Sequence, residues 1–378
     1  MIKNKILFNN PITVGNEIRN IRELKYFSSN GKYTKKCSIW LKNNIKCKEA
    51  LLVKSCTAAL EMAAILLNIK PKDEIIMPSF TFVSTANAFV LRGGLPVFVD
   101  IDPETLNINP ENITKAITKK TKAIVVVHYA GISCDMDPII KIAKKNKLII
   151  IEDAAQAILA KYKNRPLGSI GDLAALSFHD TKNIHCGEGG ALLINNAKFI
   201  NRAKIIKDKG TNRDLFNQNI VKKYSWVDCG SSYGLSEINA AFLYSQFKQG
   251  KKITKKRVEI FNQYHKLLRE LEIKNLVTRP TIPRYAKHNG HIYYLIIKKN
   301  RDKLIKYLKR KKIISTFHYI PLHSSLFGKL KSKTKSSMKY TNFISKKLLR
   351  LPMNKHLNLK SQMLIKKNIF NFFKLPLI

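Results

Sequence analysis

Ser177-Phe-His-Asp-Thr-Lys182-Asn-Ile-His-Cys-Gly-Glu-Gly-Gly190 lies between two apolar runs, Leu173-Ala-Ala-Leu176 and Ala191-Leu-Leu-Ile194. The runs read as buried strands, and the polar stretch between them as a short loop that carries a lysine. Burial lowers the pKa of a lysine, because the ammonium loses its hydration. The neutral amine can attack a carbonyl and form a Schiff base. The cofactor that uses such a lysine most widely is pyridoxal 5'-phosphate (PLP). It needs an acid beside its ring nitrogen, donors for its phosphate and a flat partner for its ring.

Candidates for all three lie upstream. Leu148-Ile-Ile-Ile-Glu-Asp153 reads as a strand buried on both faces, as in parallel sheets. Asp153 stands at its C-terminal end, where open α/β sheets place their ligands. A carboxylate there would keep a pyridine nitrogen protonated, and Gln156 is spaced to reach the ring hydroxyl. Ser55-Cys-Thr57 joins the apolar run Leu51–Val53 to a helical pattern through Leu67. Such a strand-to-helix turn offers free N–H groups and a positive dipole end to an anion, with hydroxyls from Thr57 and Ser177. The flat partner is Phe80 or Phe82. Each piece alone has a plainer reading. The chain has 56 lysines, Glu-Asp after a strand also suits a metal or a ribose, Ser-x-Thr is often only a helix cap, and a phenylalanine is usually core. The order phosphate turn, aromatic, acid, serine, lysine is what selects PLP.

The same residues carry a family likeness. The chain resembles the nucleotide-sugar aminotransferases of the DegT/StrS type, from Phe8-Asn-Asn-Pro11 to Arg350-Leu-Pro352. Four segments resemble one subgroup, the transaminases that convert dTDP-4-dehydro-6-deoxy-D-glucose to dTDP-4-amino-4,6-dideoxy-D-galactose: Ser55–Met62, Met77–Asn87, Lys209–Arg213 and Phe317-His-Tyr-Ile-Pro-Leu-His323. The resemblance implies the aspartate-aminotransferase fold (fold type I), an α/β architecture whose mostly parallel sheet binds PLP beside a smaller α+β domain. It implies Lys182 as the Schiff-base lysine and Asp153 as the ring-nitrogen partner. It further implies Gln156 at the ring oxygen, Thr57, Ala58 and Ser177 at the phosphate, and Phe82 on the ring face. Partners implied are a nucleotide keto sugar, L-glutamate as amino donor and a second copy of the chain. The implied pathway is a surface polysaccharide such as enterobacterial common antigen. Gly230-Ser-Ser-Tyr-Gly234 departs from a common Gly-x-Asn-Tyr-Arg, with Ser232 where the asparagine reaches the partner's phosphate and Gly234 where an arginine is common. Lys182 argues against the family's dehydratases, which have histidine there. His179, His318 and His323 are candidates for substrate contact, and Arg213 for the donor's carboxylate. His128 and His185 read as structural.

Composition bounds these expectations. At 378 residues and 45% hydrophobic, the chain is large enough for two domains. The amino terminus, Met1 to Phe8, shows no cleavable leader, and no apolar stretch approaches the ~20 residues of a membrane span. The six cysteines show no Cys-x-x-Cys and no zinc spacing, which fits reduced thiols in a cytoplasmic protein that holds no metal. The net charge of +44 is uneven. Residues 251–378 carry 33 Lys+Arg against four acids, and no acid follows Asp302. A basic nucleic-acid-binding protein on an inactive enzyme scaffold is therefore the rival from another class. Lysine outnumbers arginine 56 to 13 and is scattered through apolar helical patterns, which favours compositional drift over base reading, so no specific nucleic acid and no membrane are expected.

Strands are expected near Leu51–Val53, Glu74–Met77, Pro96–Val99, Ala123–His128, Leu148–Glu152, Ala174–Phe178 and Ala191–Ile194, alternating with helical patterns. The expected domains are a large PLP-binding α/β domain over 1–250, with an N-terminal arm, and a small α+β domain over 251–378. A long helix from Ser236 leads into the second, and Lys329–Ser337 reads as a polar, mobile loop.

Overall fold

The computed structural model describes residues 5–376; residues 1–4, part of the segment read as lacking a leader, lie outside it. All seven expected strands form: β1 (Glu49–Val53), β2 (Glu74–Pro78), β3 (Leu95–Val99), β4 (Thr121–Val127), β5 (Ile149–Asp153), β6 (Leu173–Ser177) and β7 (Gly190–Ile194). They join one eight-stranded sheet in the order β1-β7-β6-β5-β4-β2-β3, with Lys333–Thr334 at the far edge. The strands β2 to β6 are mutually parallel, whereas β7 runs antiparallel to both β1 and β6. The β-branched runs Ala123–Val127 and Ile149–Ile151 suit this sheet because helices cover both faces, and two apolar clusters lie against it. Every parallel strand therefore ends on the same edge, and Asp153 and Ser177 are the last residues of their strands.

A further apolar cluster belongs to residues 260–370, around a three-stranded sheet of Val277–Thr278, Tyr294–Ile297 and Leu348–Arg350. The helix Glu237–Leu267, 31 residues long, runs from one region into the other, so the boundary expected at residue 250 falls inside it. Its first residue, Glu237, is buried and accepts the N–H groups of Gly31 (3.1 Å), Tyr33 (2.7 Å) and Thr34 (2.9 Å) at the start of the helix Lys32–Ile45. A carboxylate thereby caps a helix whose own cap position, Gly31, has no side chain.

The reading of Lys329–Ser337 as a loop is corrected. Leu326–Lys331 is helical, and Lys333 and Thr334 pair in parallel with Val97 and Phe98. Ser336 Oγ then accepts the Asp100 N–H at 2.7 Å. The edge of β3 offers unpaired backbone groups, and backbone pairing leaves no trace in a lysine–serine pattern.

Candidate active site

The C-terminal edge of the sheet opens into a cavity of about 380 Å³. The turn after β1 forms one wall. Ser55 is the N-cap of the helix Cys56–Leu66, and its Oγ accepts the Ala58 N–H at 3.0 Å. That bond commits Ala58 to the cap and leaves its buried side chain out of the cavity lining. Among the described residues, the Cys56 and Thr57 N–H groups have no acceptor, and Thr57 Oγ1 bonds Ser84 Oγ at 2.8 Å. Gly190 permits this wall, since a Cβ there would stand 2.3 Å from the Ser55 carbonyl carbon. The glycine pair that closes the lysine loop is thus what lets the helix N-terminus approach.

Asp153 is 6% exposed and forms no ion pair among the described residues. Its Oδ2 accepts the Thr85 hydroxyl at 2.7 Å and its Oδ1 the Ala155 N–H at 3.2 Å. Behind it, Glu152 points to the opposite face of β5, where it accepts the Gly168, Ile170 and Gly171 amides, each at 2.7 Å. His128 Nε2 also meets it at 3.0 Å. The Cys134 N–H reaches His128 Nδ1 at 3.2 Å, so Nε2 carries the proton shared with Glu152. This buried pair fixes the strand end that presents Asp153.

Lys182 lines the cavity five residues after β6 ends. Burial pushes its ammonium pKa below the usual lysine range, and Arg350 adds to the effect; Cys56 and Asp153 act against it. Ser177, buried at the end of β6, lines the same cavity. Phe82 lies on the rim at 58% exposure, whereas Phe80 is core at 1%, packed against Tyr129 and Tyr319. Gln156 Oε1 accepts the Ala130 N–H at 2.7 Å, and its Nε2 donates to the Tyr319 hydroxyl at 3.0 Å.

The candidate substrate residues divide. His318 lines the cavity, with Nδ1 3.0 Å from the Tyr129 hydroxyl, and His179 lines it near Asp180 and Glu188. His323 does not line it. Its Nδ1 bonds Ser79 Oγ at 2.7 Å and pins the Leu322–Ser324 turn to the segment that carries Phe80 and Phe82. Arg213 is also outside, exposed at the start of the helix Arg213–Asn217, with its guanidinium 5.6 Å from the Tyr224 ring. Ser232 is exposed, bridged to Asp208, and away from the cavity of its own chain. The guanidinium that does line the cavity is Arg350, together with Thr85, His291 and Tyr319, none of which sequence reasoning singled out. Arg350 ends the strand Leu348–Arg350, and the two leucines before it give no hint that its side chain faces a site.

These features suit PLP. Two free N–H groups at a helix N-terminus fit a phosphate, and a buried carboxylate without a cation fits a protonated ring nitrogen. An amine destabilised as ammonium fits carbonyl attack.

Comparisons with known proteins agree with this geometry. A spore coat polysaccharide biosynthesis protein, SpsC of Bacillus subtilis, is 36% identical over 320 residues, covering 81% of this chain and 80% of that protein. An uncharacterized protein of Methanocaldococcus jannaschii, MJ1066, is 42% identical over 302 residues, with 78% and 77% covered. Among solved structures, PseC of Helicobacter pylori, an aminotransferase involved in the biosynthesis of pseudoaminic acid, superposes with a TM-score of 0.89 at 25% identity, covering 98% of this chain and 100% of that one. The profile of the DegT/DnrJ/EryC1/StrS aminotransferases matches residues 13–369, and the chain belongs to that family of PLP-dependent enzymes.

Proposed function

We propose that the protein moves the amino group of L-glutamate onto the 4-keto group of dTDP-4-dehydro-6-deoxy-D-glucose, giving dTDP-4-amino-4,6-dideoxy-D-galactose for a surface polysaccharide. The observation that carries the transaminase reading is one cavity holding both a lysine destabilised as ammonium and a buried carboxylate that lacks a cation. The choice of sugar rests on Phe317–His323, whose His318 lines the cavity. The polysaccharide role is in keeping with the name of the SpsC relative.

Bound PLP supplies a carbonyl for amines and a ring that accepts electron density from the carbon losing its proton. The protein's own groups do the rest. Cys56 and Thr57 N–H, with the Thr57 and Ser177 hydroxyls, would bind the phosphate, and Phe82 would cover the ring. Asp153, oriented by Thr85 and Ala155, holds a proton on the ring nitrogen. With the cofactor bound, Lys182 Nζ would take the proton from the donor's α-carbon as base and give it back as acid. Water would supply the keto oxygen of the departing oxoglutarate while the cofactor keeps the amino group, and with the keto sugar in the donor's place Lys182 would move the proton in the opposite sense. Gln156, anchored by Tyr319, would face the ring hydroxyl. His179 and His318 meet the sugar nucleotide. A second copy completes the site through Ser232. The nearby Tyr224, Trp226 and Val227 are 50%, 82% and 50% exposed, an apolar surface that suits a subunit contact. Among the described residues no helix is long and apolar enough to cross a membrane, and the proposed location is the cytoplasm.

Borohydride reduction of the yellow protein should fix the cofactor on Lys182, and Lys182→Ala should abolish turnover. A label mapped to another lysine would remove the mechanism. A coupled assay over nucleotide sugars with the keto group at different carbons tests the substrate. Preference for a keto group at another position, or for another nucleotide, would overturn the sugar assignment alone.

A further inference from the structure

A second cavity, of about 400 Å³, shares no lining residue with the first. One wall is the middle of the helix Glu237–Leu267, where Lys252, Lys256 and Arg257 share one side. The other wall holds Thr13 of the N-terminal arm and Lys355, whose Nζ donates to Thr13 O at 3.0 Å. Among the described residues no acid lines this cavity. The carboxylates beside its walls are engaged elsewhere. Glu17 Oε1 accepts the Val14 N–H at 2.7 Å and Gln246 Nε2 at 2.8 Å, and its Oε2 accepts the Gly15 N–H at 2.8 Å. Glu259 pairs with Lys256 at 3.7 Å.

Arg257 is the built part of the cavity. It is 4% exposed, and its Nε donates to Gly290 O at 3.1 Å and its Nη2 to His291 O at 2.8 Å. Both acceptors are neutral carbonyls. Among the described residues no carboxylate meets the guanidinium, and Nη1 has no acceptor. Burial alone pulls its pKa down to about 10, so it stays charged at neutral pH. Two carbonyls thus orient a desolvated cation, and its charge and one N–H edge are left for a ligand.

We propose that this second cavity binds a phosphate- or diphosphate-bearing anion, held by Arg257, Lys252 and Lys355, at a site separate from the substrate's. The charge count selects the class. Three cations remain after Lys256 is assigned to Glu259, more than one carboxylate neutralises. A diphosphate brings two or more negative charges and several acceptor oxygens. Lys252 and Arg257 are also about 8 Å apart along the helix axis, which suits an extended anion better than a single carboxylate. Lys355 meets that anion from the arm side, so a bound ligand bridges the two walls.

The test is calorimetric titration of the PLP-loaded protein with pyrophosphate at about 200 mM salt, where exposed charges are largely screened. One pyrophosphate should bind per chain, and malonate, a dicarboxylate of similar span, at least roughly tenfold more weakly. Binding should persist with dTDP present. Lys252→Ala and Lys355→Ala together should weaken pyrophosphate by roughly twentyfold. Arg257→Lys, which keeps the charge and loses the planar fork, should weaken it by roughly tenfold. The control is Lys303→Ala with Lys306→Ala, which removes two charges from the helix Arg301–Arg310 and should leave binding within about twofold. Equal losses in both lysine pairs would mean diffuse attraction by a chain of net charge +44, and would overturn the site. Displacement of pyrophosphate by dTDP would give the cavity to the substrate and would also overturn it. Malonate binding as tightly as pyrophosphate overturns the phosphate assignment. If Arg257→Lys does not fold, the two lysine pairs decide: loss confined to Lys252→Ala with Lys355→Ala supports the site, and no loss overturns it. The transaminase reading is untouched by either result, because it rests on the borohydride label at Lys182.

Discussion

Asp153→Asn isolates the electrostatic part of the site from its shape. The carboxylate is buried and is held by Thr85 and Ala155. Asparagine keeps an acceptor oxygen for one of these contacts, and its amide can donate to Thr85 Oγ1, which can also accept. The fold should therefore lose only ~1 kcal/mol, the worth of one altered hydrogen bond. The charge is a different matter. Two unit charges about 4 Å apart at an effective dielectric near 20 interact by about 4 kcal/mol. A ring nitrogen deprived of that interaction loses about three pKa units, and so its proton near neutral pH. If that energy is expressed fully at the step in which Lys182 removes the α-proton, the rate falls about a thousandfold. Stopped-flow absorbance of the glutamate half-reaction measures this step directly, with a urea midpoint as the control for folding. Cofactor affinity should fall far less, because the phosphate and Lys182 still hold it. A mutant within threefold of the wild-type rate would falsify the role of Asp153.

Three further outcomes follow from groups outside the cavity. Burial opposes the charge on Glu152, yet His128 and the Gly168 and Gly171 amides outweigh it and hold its carboxyl below the usual glutamate range. Its stabilisation is thus complete above the unfolded pKa and is lost as pH falls through the lower folded value. Urea midpoints taken from pH 7 to 3 should drop below about pH 4.5, with a shallower fall in Glu152→Gln; parallel curves would remove Glu152 from acid unfolding. Glu237→Gln keeps one oxygen for the Gly31 and Thr34 N–H groups but turns an amide donor towards the Tyr33 N–H, and should cost about 2 kcal/mol in a circular-dichroism urea titration; a loss below about 0.5 kcal/mol would mean the helix Lys32–Ile45 caps itself. Raising salt from about 50 to 200 mM should collapse any DNA binding by the basic carboxy-terminal third while transamination persists, because counterion release governs the first and buried contacts the second. Salt-resistant, sequence-specific DNA binding without PLP would restore the nucleic-acid reading.

What could be read from the chain was whatever local sequence encodes. The strands around Lys182 and Asp153 are continuous apolar runs, and the loop and strand end between them follow directly. Ser55 announces its helix because a cap bonds three residues ahead. Arg350, Tyr319 and Thr85 were not legible. Arg350 reaches the cavity only because its strand pairs with Tyr294–Ile297. Thr85 looks like any threonine in Ser79-Phe-Thr-Phe-Val-Ser-Thr until Asp153 is found 2.7 Å from it. Arg213, the arginine of a motif, lies outside the cavity of its own chain, whereas Arg350, at the end of a distant strand, lines it. Lys333–Thr334 hid for the related reason that a sheet edge recruits backbone, whatever its side chains.

Gly190 has a bearing on how this enzyme can vary. It closes the loop that carries Lys182, and it is also the floor on which Ser55 and Cys56 rest. Two functional segments from distant parts of the chain thus share one missing methyl group. A single added carbon would displace the anion turn and the lysine loop together, and no compensating change in either segment alone would restore both. Change in the cavity lining is open at positions outside both segments, such as Phe82 and His318. The two segments that meet at Gly190 must be inherited as a unit.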